Sequence, residues 1–188
     1  MRVGRQRAHK NPGPGWSGAP RQCPSAGILE TVRGRHDEER PGGGDADDAH
    51  AVDFALFGQI AFPGGKLDPT DASPLAAALR EAEEEVGLDR RFVHPIGYLD
   101  VYMTTLGFRI VPTLARVDPD SKLTLSPAEV HDAFEVPLRF LMQPDNYQRR
   151  RREWRGMMRT TYAIPFGDRD IWGVTAGILR NLYERLYA

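Results

Sequence analysis

The stretch ALREAEEEVGL, residues 78–88, places four glutamates within five consecutive positions: Glu81, Glu83, Glu84 and Glu85. Carboxylates three and four residues apart repel one another on the surface of a helix. The last turn adds to this penalty, because the helix dipole disfavours negative charge at the C-terminal end. Such a helix indicates either a solvated acidic face or a bound cation that relieves the repulsion.

The helix that carries these glutamates has clear boundary signals. Ser73 is a favourable N-cap residue, Pro74 suits the first helical position, and Gly87 is the expected C-cap. At about 100° per residue, four apolar side chains of residues 74–86 fall in one arc, which we expect to be buried: Leu75, Leu79, Ala82 and Val86.

Three of the four glutamates share a second arc, roughly opposite the apolar one: Glu81, Glu84 and Glu85. Just upstream, FPGGKLD (62–68) supplies a glycine-rich loop whose backbone carbonyls can approach the helix. Clustered carboxylates together with a carbonyl are the ligands that hard cations such as Mg²⁺ and Mn²⁺ take. The sequence therefore predicts a divalent-cation site, with a solvated acidic face as the alternative.

Composition narrows the class of protein. The 188 residues are 40% hydrophobic and 27% charged, with a formal net charge of -1, so we expect no general attraction to nucleic acid or to an anionic membrane.

The basic stretch QRRRREWRG (148–156) is interpreted as a solvated loop or hairpin, with RNA binding as the alternative. Cys23 has no partner for an internal disulfide, and no apolar stretch is long enough to span a bilayer. We expect a cytoplasmic protein.

The chain changes character near residue 50. Residues 1–50 are rich in glycine and proline and poor in large apolar side chains, so they are predicted to be a disordered or irregular low-complexity segment, with at most a short turn of structure in SAGILETVRG (25–34). Residues 51–188 are predicted to form the folded domain. Strand-like stretches (51–62, 92–105, 107–117 and 160–166) are interleaved with helical ones (74–86 and 170–187), which predicts an α/β or α+β fold.

The glutamate stretch resembles the Nudix box, in which Gly, five residues, Glu and seven residues precede Arg-Glu-apolar-x-Glu-Glu-x-Gly-apolar. REAEEEVGL (80–88) matches the second half at every fixed position. In the first half Asp71 stands where the pattern has glutamate, and eight residues separate it from Arg80. This longer spacing is similar to the coenzyme A diphosphatase branch, as are GQIAFPGGK (58–66), IGYLD (96–100), FEVPL (134–138) and IWGVTAGIL (171–179).

The resemblance implies an α/β/α sandwich with a mixed sheet and a site that binds Mg²⁺ or Mn²⁺. It implies metal ligation by Glu81, Glu84, Glu85 and the carbonyl of Gly65, with Arg80 orienting Glu84 rather than touching substrate. Gly64, Gly65 and Lys66 are the candidates for binding the phosphates or the cofactor. The implied reaction splits the diphosphate of coenzyme A or its thioesters into 3′,5′-adenosine diphosphate and 4′-phosphopantetheine.

Several alternatives stay open. The substrate can instead be ADP-ribose or a dinucleotide, and a homodimer is compatible with the sequence. The residues before about Phe57 do not resemble the family's first strands, so we expect those strands to be missing and explain the segment by a shifted reading frame in a GC-rich gene. Missing strands would make the chain a catalytically inactive remnant.

Overall fold

The computed structural model describes residues 2–3, 25–33, 60–105, 107–154 and 156–187. Within these residues the strands are β1 (Arg2–Val3), β2 (Ser25–Arg33), β3 (Gly64–Lys66), β4 (Val93–Tyr98), β5 (Tyr102–Met103), β6 (Arg109–Val117), β7 (Phe134–Glu135), β8 (Gln148–Trp154), β9 (Met157–Phe166) and β10 (Arg169–Trp172). The helices are α1 (Pro74–Val86), α2 (Leu138–Leu141) and α3 (Val174–Tyr187), with short 3₁₀ turns at Arg90–Phe92 and Pro144–Asn146.

The larger sheet is mixed, as expected. Its strands run in the order β4-β6-β2-β1-β7, with β3 paired to β2 and β5 paired to β6. The antiparallel β2–β6 ladder runs from Ser25 opposite Val117 to Arg33 opposite Arg109. The parallel β2–β3 ladder sets residue 31 opposite residue 65. A smaller antiparallel sheet contains β8, β9 and β10.

Strand β6 separates two hydrophobic cores, because its side chains alternate between the faces of the sheet. Ile110 and Leu114 pack into the core that includes Ile178 of α3. Ala115 and Val117 pack into the core that includes the apolar side of α1. Helices therefore cover both faces of the mixed sheet, and the expected α/β/α arrangement is confirmed.

Helix α1 has the predicted boundaries. The Ser73 side chain accepts a hydrogen bond from the amide of Ala76 at 3.1 Å. At the other end Gly87 adopts a left-handed conformation with φ of 63°, and its amide donates to the carbonyl of Glu83. The amide of Leu88 donates to the carbonyl six residues earlier, which completes a Schellman-type C-cap.

The buried face of α1 is broader than the predicted arc. Ala82 and Val86 are buried, as expected, but Leu75 and Leu79 are only partly buried. The most deeply buried positions include Ala77 and Ala78, which lie outside the predicted arc. Small side chains allow the helix backbone to pack closely, so the alanines rather than the leucines mark its inner surface.

The N-terminal segment differs from the expectation of a region without strands. Residues 2–3 and 25–33 form β1 and β2, and β2 lies between β6 on one side and β1 and β3 on the other. The expectation of at most a short turn in residues 25–34 was wrong, because SAGILETVR forms a nine-residue strand that is stabilised by its neighbours in the sheet. The rest of residues 1–50 lies outside the described residues. The predicted strand 51–62 is described only at residues 60–62, and these three residues form neither helix nor strand.

The C-terminal half follows the sequence closely. Residues 148–154 form strand β8 of a β8–β9 hairpin, in agreement with the hairpin interpretation of the arginine-rich stretch. The last helix begins at Val174 rather than at residue 170, because Ile171 and Trp172 belong to strand β10. None of the described helices has the length and hydropathy that a membrane span requires.

Candidate active site

Arg80 is the centre of a network of ion pairs at the surface of α1. Its Nε and Nη2 donate to the two oxygens of the Asp71 carboxylate at 3.2 and 2.9 Å. Its Nη1 donates to Glu81 at 3.0 Å and to Glu84 at 3.2 Å. These pairs, above all the one with Asp71, raise the pKa of Arg80, so the guanidinium stays charged.

Asp71 is held in place by its own loop. Its amide donates to the carbonyl of Asp68, and its Oδ2 accepts a hydrogen bond from the amide of Asp68. The hydrogen bond from Arg80 lowers the pKa of Asp71. The aspartate at this departure from the Nudix pattern therefore still forms a two-point ion pair with the arginine of the box.

Glu81 lies against the backbone of Gly65. A Cβ atom built on Gly65 would collide with the Glu81 carboxylate, so any other residue at this position would require the Glu81 side chain to shift. The Glu81 side chain is 19% exposed. Burial raises its pKa; Arg80 opposes the shift, whereas the negative charges of Glu84 and Glu129 add to it. The carboxylate of Glu81 is thus a place where additional positive charge is favoured.

Glu85 ties the glycine pair Gly64–Gly65 to the helix. It is 6% exposed, and its Oε2 accepts a hydrogen bond from the amide of Gly64 at 3.2 Å. The carbonyl of Glu85 accepts from the amide of Ser126 at 2.9 Å, which attaches a later loop to the end of α1. Three residues further along this loop, Glu129 is close enough for its charge to act on Glu81.

Lys66 takes part in the network through its backbone. Its carbonyl accepts a hydrogen bond from Arg80 Nη2 at 3.3 Å, whereas its side chain is exposed. The positive charge of Lys66 therefore faces solvent directly after the glycine pair.

The structure brings most of the predicted residues together, but not as one cluster of free carboxylates. Within the described ranges, no three Asp, Glu, His or Cys side chains are gathered as a group that could hold a metal ion. Arg80 Nη1 bridges Glu81 and Glu84 instead. Glu85 is held separately by the amide of Gly64. A bound cation would thus have to compete with Arg80 for two of its predicted ligands.

Glu83 separates from the other three glutamates, as expected. It is exposed and pairs with Arg90 at 2.9 Å. Glu84 is 56% exposed and pairs with Arg80, which agrees with the predicted contact between these two residues. The acidic helix therefore has a solvated side at Glu83 and a second side, here called the networked side, that consists of Glu81, Glu84 and Glu85.

The chemistry of the networked side fits a hard divalent cation. Its acceptor atoms and those of the adjoining loop are carboxylate and carbonyl oxygens, which Mg²⁺ and Mn²⁺ prefer. The raised pKa of Glu81 indicates that burial and neighbouring carboxylates outweigh the compensation by Arg80. Because Gly65 has no side chain, its backbone lies next to the Glu81 carboxylate without obstruction.

Two carboxylates contribute more to the site than the sequence pattern indicates. Asp71 is an aspartate where the box has a glutamate, yet its hydrogen bonds with Arg80 are the largest cause of the raised pKa of Arg80. The sequence signal for Asp71 is its position, because it occupies the place of the glutamate in the first half of the box. Glu129 lies far outside the box, yet its charge raises the pKa of Glu81. Its contribution depends on a loop that returns to the end of α1, which no local pattern predicts.

The part of the chain that carries this site is similar in sequence to known proteins. A family model described as the NUDIX domain matches residues 45–155. An uncharacterized Nudix hydrolase NudL from Enterobacter sp. (strain 638) is 35% identical over 156 residues, which cover 83% of this chain and 73% of the relative. The proteins of that description from Escherichia coli (strain K12) and Shigella boydii serotype 4 (strain Sb227) are each 39% identical over 125 residues, 66% of this chain and 65% of the relative. The match thus spans just under two thirds of the length of these two relatives.

Proposed function

This chain belongs to the Nudix family of hydrolases, which act on diphosphates, and we propose that its substrate is the diphosphate of coenzyme A or of a coenzyme A thioester. The products would be 3′,5′-adenosine diphosphate and 4′-phosphopantetheine. The observation that supports hydrolysis of a diphosphate is the networked side of α1, which lies beside the backbone of the glycine pair.

We propose that Mg²⁺ or Mn²⁺ is held by four groups: Glu81, Glu84, Glu85 and the carbonyl of Gly65. The bound ion would polarise the phosphoryl oxygens, lower the pKa of a bound water and stabilise the departing phosphate. The raised pKa of Glu81 supports this placement, because a nearby cation would favour its ionised form.

The role of Arg80 follows from its contacts. Asp71 accepts two hydrogen bonds from Arg80 and so fixes the plane of the guanidinium. The remaining nitrogen, Nη1, is thereby directed toward Glu81 and Glu84. Arg80 therefore orients these two carboxylates rather than touching the substrate.

The other two glutamates differ in exposure and therefore in role. Glu85 is buried and accepts the hydrogen bond from Gly64, so it fixes the position of the glycine pair. Glu84 is the most exposed of the three proposed carboxylate ligands and is accessible to an incoming diphosphate. The substrate would therefore approach the site from the side of Glu84.

The choice of coenzyme A within the diphosphate class rests on sequence stretches rather than on a described pocket. The resemblance to the coenzyme A branch includes the eight-residue spacing after Asp71 and the stretches GQIAFPGGK and IWGVTAGIL. Lys66 adds an exposed positive charge directly after the glycine pair, where a phosphate group would be attracted. ADP-ribose and dinucleotides share the diphosphate, so they are the comparison substrates.

The test is hydrolysis of coenzyme A, acetyl coenzyme A, ADP-ribose and a dinucleoside diphosphate with Mg²⁺ or Mn²⁺, followed by chromatography of the products. We expect 3′,5′-adenosine diphosphate from the coenzyme A substrates and a loss of about 100-fold or more in kcat for Glu84→Gln. Glu83→Gln is the matched control, because Glu83 lies on the solvated side of the same helix. Faster cleavage of ADP-ribose or the dinucleotide would reassign the substrate, and no turnover from a folded sample would support the inactive remnant.

A further inference from the structure

Residues 60–63 carry the chain into the glycine pair without belonging to a helix or a strand. Ile60 and Phe62 are 1% and 3% exposed and pack in the core that includes α3. The carbonyl and amide groups of a buried segment without regular structure need specific partners. The position of the glycine pair relative to α1 therefore depends on what holds this segment.

Thr175 supplies such a partner from α3. Its Oγ1 donates a hydrogen bond to the carbonyl of Ile60 at 2.8 Å, and the residue is 2% exposed. Thr175 is the second residue of α3, and the turn before the helix is fixed by the bond from the amide of Gly173 to the carbonyl of Tyr162. The hydroxyl thus extends from the first turn of a helix whose start is attached to β9 by a backbone hydrogen bond.

A second contact fixes the same turn of α3. A Cβ atom built on Gly177 would be 2.3 Å from the Tyr102 hydroxyl oxygen, so Tyr102 packs directly against the helix backbone at this glycine. Thr175 and Gly177 both belong to the stretch IWGVTAGIL (171–179). This stretch therefore has a physical role in the fold: it joins α3 to β5 and to the segment that precedes β3.

We propose that Thr175 is a positioning residue for the active site, acting through the carbonyl of Ile60. Holding Ile60 sets where the glycine pair enters the site, so that the amide of Gly64 meets Glu85. The effect of Thr175 on catalysis rests on the proposed function, whereas its effect on the glycine pair is a property of the fold.

Thr113 provides a matched control for removing a buried hydroxyl. It is 1% exposed on β6, and its Oγ1 has no hydrogen-bond partner in the described part of the chain. Thr113→Val and Thr175→Val thus both remove a buried hydroxyl. Within the described residues, only the Thr175 hydroxyl of these two donates to an acceptor, the carbonyl of Ile60.

The experiment is hydrogen exchange of the Gly64 amide in the metal-free 188-residue protein, with kcat and KM measured on the best diphosphate substrate. Thr175→Val leaves the buried Ile60 carbonyl without its donor, so we expect exchange at Gly64 to be about tenfold faster and kcat to fall more than KM changes. Thr175→Ser keeps the hydroxyl and should restore both values. Thr113→Val should match the wild type.

Unchanged exchange at Gly64 in folded Thr175→Val would overturn the proposal. If Thr175→Val does not fold, Thr175→Ser and Thr175→Ala replace it, because both lack the methyl group and only serine keeps the hydroxyl. Equal exchange rates at Gly64 in Thr175→Ser and Thr175→Ala would likewise overturn the proposal. If the wild type cleaves no diphosphate, the proposed function fails, and the exchange rates alone decide the role of Thr175.

Discussion

Helix α1 and strand β2 approach the same glycine pair, but they are stabilised in different ways. Helix α1 has its own caps: the Ser73 side chain at the start and the Gly87 amide at the end. Strand β2 instead depends on distant partners, since it pairs with β6 along its whole length and with β3 at Gly64–Lys66. The helix supplies the charges of the site, and the strand fixes the backbone that those charges face.

The largest expected effect comes from breaking the strand. Thr31 lies opposite Val111 of β6 and Gly65 of β3, so Thr31→Pro places a residue without an amide hydrogen between two paired strands. Since native proteins are stable by only about 5 to 15 kcal/mol, we expect loss of the cooperative thermal transition and of all hydrolytic activity. Circular dichroism during heating measures the first of these effects.

Thr31→Val is the control for this prediction, because valine keeps the amide and favours a strand. It should melt and react as the wild type does. A Thr31→Pro protein with the wild-type melting temperature would show that β2 does not hold the sheet together.

A smaller effect is expected from removing the charge of Glu81. Because burial raises its pKa, the folded protein binds this proton more tightly than the unfolded chain does. The metal-free protein should therefore lose stability as the pH rises from the ordinary glutamate pKa of about 4.3 through the raised one. Glu81→Gln removes this loss, so we expect the variant to melt above the wild type at neutral pH while it loses hydrolytic activity.

Melting temperatures measured across this pH range without metal test the sign of the effect. Glu83→Gln, on the solvated side of α1, should leave the pH dependence of the wild type in place. A wild-type stability that rises relative to Glu81→Gln over the same window would contradict the stated role of Glu81.

The smallest effect is expected at the N-cap of α1. Ser73→Ala removes the acceptor for the Ala76 amide, which typically costs about 1 kcal/mol. For a protein of this size the melting temperature should fall by about 2 to 4 °C. Activity should persist, because β2 and Glu85 still hold the glycine pair. Loss of activity in a folded Ser73→Ala protein would show that the helix start governs the site more than the strand does.

The same contrast explains which parts of the fold were predictable. The ends of α1 follow from Ser73, Pro74 and Gly87, because helix caps act through bonds between close neighbours in sequence. Strand β2 was not predictable from residues 25–33 alone, since β-structure depends on partners far along the chain. The predicted start of α3 is too early because the apolar periodicity continues from Ile171 in β10 into the helix.

The site was predictable to a similar degree. The ion pair between Arg80 and Glu84 joins residues four positions apart, which are neighbours on a helix, so local spacing accounts for it. The bond between Glu85 and Gly64 joins residues 21 positions apart, and the link from α3 to the segment before β3 joins residues 115 positions apart. Such contacts arise from the assembled sheet, so no local pattern indicates them.

The most direct test of the proposed cation site is a calorimetric titration of the metal-free protein with Mn²⁺, in the wild type and in Glu85→Gln. Glutamine can still accept the hydrogen bond from Gly64 through its amide oxygen, so this variant removes the charge while it keeps the contact. We expect saturable binding to the wild type and an affinity lower by at least about tenfold in a folded Glu85→Gln protein. Equal Mn²⁺ affinity in the two folded proteins would show that Glu85 does not hold the cation.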